Sequence, residues 1–327
     1  MHKEPARTGD LVSLTDGTLT EDGARQMLES IRFPNGLHCI FPDCGGADVY
    51  RLEVKGKTYP SGRVVGPRSL YKCKACRRQF SVTKGTIFED SKIPLRTWIT
   101  VMYRMCSSKK GVSALQIQRE FGLSYESAWF MCHRIRYAMQ DKNPGLLTGV
   151  VEADETYIGG KAHNMHADKR KVAIKGHGAI GKTPVVGMVE RGGRVRTQVV
   201  DKPTRANMEP LLLKNIDVKQ STLMTDEAGV YRYIGVHLPH QVIRHASEYV
   251  RGNVHTNTIE SYWAILKRGV IGTFHHVSAQ HLPMYAHEFE FRYNRRKVKD
   301  AERFASLLGQ VEGRLDWYLK PSSASEA

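Results

Sequence analysis

Three acidic residues stand where the surrounding pattern would bring them together. Asp154 lies near the end of the strand-like run from Gly149 to Tyr157, in Val150-Val-Glu-Ala-Asp154-Glu-Thr, and Asp226 closes another in Leu223-Met-Thr-Asp226-Glu-Ala-Gly. Glu260 belongs to Asn257-Thr-Ile-Glu-Ser-Tyr-Trp-Ala-Ile-Leu-Lys267, where Ile259, Tyr262, Trp263 and Leu266 recur at the spacing of a helix with one buried face. An acid at the C-terminal end of each of two strands, with a third on a later helix, is how an α/β sheet builds a cluster of oxygen ligands. Carboxylates so gathered repel one another unless cations lie between them. Two Mg2+ (or Mn2+) ions suit hard oxygen donors and permit in-line attack on a phosphodiester. Lys267, at about 100° per residue, falls two turns past Glu260 on nearly the same face. Each acid has a plainer account as well: Asp154 can open a turn, Asp226 can cap a helix, and Asn257 with Glu260 can form a capping box that leaves Lys267 solvated.

A second set of chemistry-bearing residues lies earlier. Cys39-Ile-Phe-Pro-Asp-Cys44 and Cys73-Lys-Ala-Cys76 are two close thiol pairs separated by 28 residues rich in strand formers. Two such pairs around a β-rich insert is the layout of a zinc ribbon, with Cys39, Cys44, Cys73 and Cys76 as the four Zn2+ ligands. His38 could stand in for Cys39 without violating zinc chemistry, and four unrelated reduced thiols are the alternative. The Gly45-Gly46 step permits a tight knuckle whose amides point at sulfur. Cys106 and Cys132 instead fall on apolar helical faces, where a free cysteine behaves as a small buried hydrophobe.

The elements that must position these groups follow from period and punctuation. Pro94 to about Ser107 reads as a helix with proline in its first turn. Ser113 caps a second helix reaching Phe121, Gly122-Leu-Ser makes a short turn, and Ser124 caps a third reaching Met139. Helix, turn with glycine, helix is the helix-turn-helix layout, although three-helix units without a DNA role are common. Its exposed face is expected to carry Tyr125, Glu126, His133, Arg134 and Arg136. The expected DNA-contacting set is His133, Arg134 and Arg136 with Lys267 and Arg268. Asp141-Lys-Asn-Pro-Gly-Leu is a linker by composition. Beyond it, Gly149 to Tyr157, Pro184 to Glu190 and Arg194 to Asp201 read as strands, Asn207 to Ile216 as a helix, and Ser221 to Thr225 and His240 to His245 as further strands. That order resembles the ribonuclease-H-like core. The basic stretch from Lys161 to Lys182 reads as a mobile loop, Leu282 to Tyr293 as an amphipathic helix running into Arg292-Tyr-Asn-Arg-Arg-Lys-Val-Lys, and the residues after Pro321 as a disordered tail.

Composition bounds the rest. With 327 residues there is room for about two domains. Forty-nine lysines and arginines against 33 acids, a formal charge of +16, point to a polyanionic partner, nucleic acid first. No run of 18 apolar residues exists and Met1-His-Lys-Glu-Pro-Ala-Arg lacks the apolar core of a signal peptide, so no membrane role and a cytoplasmic, nucleoid-associated location are expected. In a reducing compartment six cysteines argue for metal binding or burial rather than disulfides. The expected segments are a polar stretch at 1–32, the ribbon at 33–92, the helix-turn-helix at 93–145, the catalytic domain at 146–300 and a helix with tail at 301–327.

Five stretches carry a likeness to a known family: Tyr71-Lys-Cys-Lys-Ala-Cys-Arg-Arg-Gln-Phe-Ser-Val, Gly85-Thr-Ile-Phe, Glu152-Ala-Asp-Glu-Thr-Tyr-Ile-Gly-Gly-Lys, Thr225-Asp-Glu-Ala and His255-Thr-Asn-Thr-Ile-Glu-Ser-Tyr-Trp-Ala-Ile-Leu-Lys-Arg-Gly. From about Phe33 to Lys297 the chain resembles an insertion-sequence transposase of the IS1595 type with an ISXO2-like catalytic domain, in the DDE transposase group. The resemblance implies that Asp154, Asp226 and Glu260 are the metal-binding triad, with Lys267 the accompanying basic residue. It also implies binding of terminal inverted repeats, Mg-dependent strand cleavage and strand transfer into target DNA, and a homodimer or higher oligomer on DNA. Some relatives use an asparagine as the third ligand, which makes Asn257, one turn before Glu260, an assistant or replacement. The four-residue gap of the first cysteine pair departs from the commoner close spacing. A nuclease or junction resolvase on the same fold, and a DNA-binding regulator with an inert catalytic domain, are the competing readings.

Overall fold

Thr20 starts helix α1 (Glu21–Arg32) by accepting the Gly23 amide on its hydroxyl at 3.0 Å. The computed structural model describes residues 13–14, 16–62, 64–65, 68–160, 181–244 and 252–315. Two compact units are formed, one from Met1–Ser107 with Asp300–Ala327 and the other from Ser108–Lys299. In the first, β1 (Val49–Val54), β4 (Arg68–Cys73) and β5 (Gln79–Phe80) make an antiparallel sheet in the order β1-β4-β5, while β2 (Lys57–Thr58) pairs with β3 (Val64–Val65). Glu29 of α1 is buried and takes Arg25, Arg51 and the Tyr71 hydroxyl, so its charge is paired as burial requires and α1 is tied to β4. Glu21 accepts the Leu95 and Arg96 amides at 2.8 and 3.0 Å and so caps α2 (Leu95–Ser107) from outside. The buried stripe of α2 includes Trp98, Met102 and, as expected, Cys106; Tyr103 meets Phe304 of α8 (Asp300–Leu308) edge-on at 5.8 Å.

The second unit opens with α3 (Ala114–Phe121) and α4 (Tyr125–Met139). Ser113 and Ser124 cap them, each accepting an amide at 3.2 Å, and Gly122 turns the chain between them at φ +62°. The expected punctuation is thus present, but the face expected to be exposed is not. His133, Arg134 and Arg136 are 0%, 6% and 2% exposed, because α4 packs along α7 (Leu282–Asn294); Tyr125 and Glu126 remain exposed. The helix at 95–107, grouped by sequence with α3 and α4, belongs to the other compact unit, as does the helix starting at Asp300.

Five strands follow: β6 (Leu147–Ile158), β7 (Thr183–Glu190), β8 (Val195–Val199), β9 (Ile216–Thr225) and β10 (His240–Val242). Their order is β10-β9-β6-β7-β8, with β7 antiparallel to both neighbours and β9 and β10 parallel to β6. Alternation along β6 sends Val151 and Ala153 into a core under α5 (Arg205–Asn215), with Met208 and Leu212. Ile158 goes to the opposite core, under α6 (Asn257–Gly269) and α7, with Ile259, Trp263, Leu266 and Phe289. The last strand stops at Val242 rather than His245. The stretch expected to be a mobile loop lies outside the described residues from 161 to 180, as does the tail.

Candidate active site and metal centre

The four ribbon thiols converge. The Sγ atoms of Cys39, Cys44, Cys73 and Cys76 all lie within 4.8 Å of one another, with Cys39 to Cys76 at 3.7 Å and Cys44 to Cys73 at 3.6 Å. A tetrahedral zinc with bonds of about 2.3 Å requires sulfur–sulfur edges of about 3.8 Å, so the four residues fit Zn2+. Gly45 turns at φ +59°, and a Cβ on Gly46 would sit 3.1 Å from the Cys73 sulfur, so the knuckle needs both glycines. Side-chain and backbone hydrogen bonds from Arg78 bring the Cys76 thiol down to about 6, into the thiolate form that binds metal; burial pushes Cys39 up to about 12. Arg78 itself lies 4.0 Å over the Phe41 ring and pairs with Asp43 at 2.7 Å. His38 is exposed and outside the cluster, which removes it as a substitute for Cys39.

Strand register brings two of the acids level. The parallel pairing of β6 with β9 ends at Glu152 opposite Met224, so two residues on, Asp154 and Asp226 are neighbours at the mouth of the two strands. β6 itself continues to Ile158 as the partner of β7 alone, so Asp154 is inside a strand rather than at its end. Burial, reinforced by the charges of Glu155 and Asp226, raises the Asp154 carboxyl to about 6 even though the Trp263 indole opposes the shift by donating to Oδ2 at 2.9 Å. That indole can reach the sheet because Gly187, the register partner of Asp154 on β7, leaves room: a Cβ there would lie 2.6 Å from the Trp263 ring and 2.8 Å from Ile259. Glu155 points to the other face, accepts the Tyr231 hydroxyl at 2.6 Å and is also raised, chiefly by burial. Asp226 Oδ1 accepts the Ala228 amide at 3.0 Å, closing a turn rather than capping a helix, and borders a cavity of about 890 Å3 also lined by Arg232, His240 and Arg244.

Glu260 stands exposed in the first turn of α6, its Oε1 accepting the Thr256 hydroxyl at 2.9 Å. The N-cap residue is Thr256, and Asn257 is the first helical residue, so the capping box expected between Asn257 and Glu260 does not form. Lys267 and Arg268 are exposed two turns beyond Glu260, as the period predicted. Among the described residues only the four cysteines close to within 4.8 Å of one another as a metal-ligand group; Asp154, Asp226 and Glu260 are spaced more widely.

Three residues expected to contact DNA are spent elsewhere. Arg136 Nε donates to Glu288 at 2.6 Å and its guanidinium lies 3.9 Å over the Tyr285 ring, with Arg292 completing the pairing of Glu288. Arg134 lies 5.4 Å over Phe130. His133 sits against Trp129, His281 and Tyr285, where burial pushes its imidazole down to about 2 and keeps it neutral. Helical period had put them on one face without revealing that α7 covers it. Glu152, Gly187 and the Trp263 contact to Asp154 carried no signal that the sequence reading used.

Known proteins resemble the chain over both of these regions. Residues 146–294 match the ISXO2-like transposase domain, and residues 19–79 match the transposase zinc-ribbon domain. An uncharacterized protein in the transposable element ISH50 of Halobacterium salinarum is 30% identical over 283 residues, which is 84% of this chain and 91% of the relative. Asp154, Asp226 and Glu260 fall inside the first match and all four ribbon cysteines inside the second. With both matches in their observed order and the relative covered almost end to end, the chain belongs to the IS1595 family of transposases, with an ISXO2-like DDE domain and a zinc ribbon.

Proposed function

We propose that the chain binds the terminal inverted repeats of its insertion sequence and cuts and rejoins DNA at Asp154, Asp226 and Glu260. The observation that carries this is the level pairing of Asp154 and Asp226 across β6 and β9, with the helix bearing Glu260 anchored on Asp154 through Trp263. A five-stranded sheet whose central strand has one antiparallel and one parallel neighbour supports a ribonuclease-H-like core for this domain.

The donor set is three carboxylates, which suits Mg2+ or Mn2+, and Asp154, Asp226 and Glu260 would hold the ions. When bound, two such cations activate an attacking oxygen and stabilise a leaving one. The reaction class is hydrolysis that releases a 3′-hydroxyl, followed by attack of that hydroxyl on target DNA. Trp263 fixes one oxygen of Asp154 and so aims the other. Because burial raises the Asp154 carboxyl to about 6 in the metal-free site, a proton competes with the cation for its oxygens, and more Mg2+ is expected to be needed for cleavage as pH falls. Lys267 and Arg268 lie exposed beyond Glu260 and are suited to phosphate contacts. The ribbon and, separately, the exposed start of α4 are the remaining candidates for DNA contact, and a homodimer or higher oligomer would pair the two ends.

Asp154→Asn, Asp226→Asn and Glu260→Gln should each abolish cleavage and joining of repeat-ended DNA while end binding survives. Retained cleavage in any of them removes that residue from the site. Joined product distinguishes a transposase from a nuclease or resolvase, which would cut without joining. If Asn257→Ala inactivates as fully as Asp226→Asn while Glu260→Gln still joins, the third ligand is Asn257.

A further inference from the structure

Glu152 lies two residues before Asp154 on the same face of β6 and is 0% exposed. Its Oε2 accepts the backbone amides of Thr258 and Ile259 at 2.8 and 3.0 Å, and its Oε1 accepts the Thr258 hydroxyl at 2.9 Å and Arg191 Nε at 2.6 Å. Arg191 in turn holds the segment leading into α6, donating to the Asn253 carbonyl and side chain at 2.7 Å and to the His255 carbonyl at 2.8 Å. The N-cap residue Thr256 makes no side-chain bond to the helix amides, and its hydroxyl goes to Glu260. The first-turn amides of α6, with the positive end of its dipole, are therefore met by a carboxylate from the neighbouring strand.

This capping has a geometric consequence. Packing of Ile259 and Trp263 over Gly187 holds α6 to the sheet, but apolar contact is non-directional and does not by itself fix how far the helix slides or turns. Directional bonds do so at two points: Glu152 at the helix N-terminus and Trp263 on Asp154 further along. A buried carboxylate met by several donors adds direction as well as stability, since its bonds are lost if the helix slides or turns. We infer that Glu152 is a positioning residue that sets where α6, and with it Glu260, stands relative to Asp154 and Asp226. It faces helix amides and Arg191, so it acts through α6 and not on the scissile phosphate. The inference rests on the catalytic role proposed above for Asp154, Asp226 and Glu260.

The test uses the full chain and the Glu152→Gln variant, with Leu212→Ala, in the core on the opposite side of the sheet, as a control for lost stability. Amide exchange is measured at Thr258 and Ile259 in Mg2+-free buffer, and cleavage of repeat-ended DNA is measured against Mg2+ concentration. Glu152→Gln should exchange faster at those two amides and, as for other residues that orient metal ligands, need about 10- to 100-fold more Mg2+ or cleave more slowly by a similar factor, with end binding unchanged. Leu212→Ala should lose stability but keep the wild-type Mg2+ dependence. Wild-type exchange and Mg2+ dependence in Glu152→Gln, or an equal Mg2+ shift in Leu212→Ala, would overturn the inference. Should Glu152→Gln fail to fold, Thr258→Val removes one of the four donors and must shift the Mg2+ dependence in the same direction; no shift refutes the role. If Asp154→Asn is inactive while Glu152→Gln matches wild type, the inference alone fails. If Asp154→Asn cleaves normally, the proposed assignment of the catalytic acids fails with it.

Discussion

Replacing Asp154 by asparagine should destroy cleavage and at the same time stabilise the folded chain. Burial, then the charges of Glu155 and Asp226, lift this carboxyl from its usual 3.8 to about 6, so the native state favours its protonated form. A raised carboxylate contributes stability that is complete below its unfolded pKa and is lost as pH rises through the folded one. With an unfolded value of 3.8, ionising Asp154 costs the folded state about 3 kcal/mol at pH 7, about 1.6 kcal/mol at pH 5 and about 0.6 kcal/mol at pH 4. Asparagine never ionises, and its side-chain oxygen can still accept the Trp263 indole, so the variant escapes most of that cost. In a unit of this size each kcal/mol corresponds to about 2–4 °C of melting temperature.

The measurement is calorimetry of the full chain at pH 7 and pH 4, in buffer lacking Mg2+ but without chelator, which would also strip zinc from the ribbon. Asp154→Asn should melt higher than wild type at pH 7, and the difference should nearly vanish at pH 4. Adding Mg2+ should stabilise the wild type selectively, because an ion that binds only the folded carboxylates shifts the equilibrium by mass action. A variant that melts lower than wild type at pH 7, or an advantage that does not shrink with pH, would refute the electrostatic account of this site.

In the ribbon, wild type should carry about one zinc per chain and Cys73→Ser/Cys76→Ser none; zinc retained in the double variant would remove the assignment. Gly46→Ala should weaken zinc retention against a chelator without abolishing it, since its Cβ presses on the Cys73 sulfur at 3.1 Å. Arg136→Met should cost about 3–5 kcal/mol on denaturant melts by leaving Glu288 short of a partner, with end binding per folded molecule unchanged; lost DNA affinity at unchanged stability would contradict the burial of this side chain. Lys267→Ala and Arg268→Ala should each reduce the salt slope of end binding by about one and slow cleavage less than Asp226→Asn; a complete loss of cleavage would mean more than a phosphate contact.

The features legible in the sequence are those fixed locally. Thiol spacing announced the four-cysteine cluster, and serine caps with Gly122 announced the ends of α3 and α4, because each depends on residues a few positions apart. Period also put Glu260 and Lys267 on one face of α6, and both are exposed there. What period cannot reveal is the covering layer. The stripe of α4 holding His133, Arg134 and Arg136 looked like a surface because of its basic residues, yet α7 brings Glu288 to pair with Arg136 and Tyr285 to cover His133, while Arg134 lies over Phe130 of α4 itself. The same limit applies to the segment boundaries: the helix at 95–107 joins its unit through Glu21, more than seventy residues away in the chain.

The tetrapeptide Glu152-Ala-Asp154-Glu155 shows why acidity alone does not identify a role. Strand alternation turns Glu152 and Asp154 toward α6 and Glu155 toward Tyr231, and the register with β9 leaves only Asp154 level with Asp226. Glu152 is met by four donors, so its charge is satisfied and its removal should loosen the helix it caps. Asp154 is met by the Trp263 indole and the Glu155 backbone, but burial and two like charges outweigh them, so removing its charge should relieve the fold while ending the chemistry. Two carboxylates two residues apart on one face thus predict stability changes of opposite sign, and that difference separates an acid the fold uses from an acid the reaction uses.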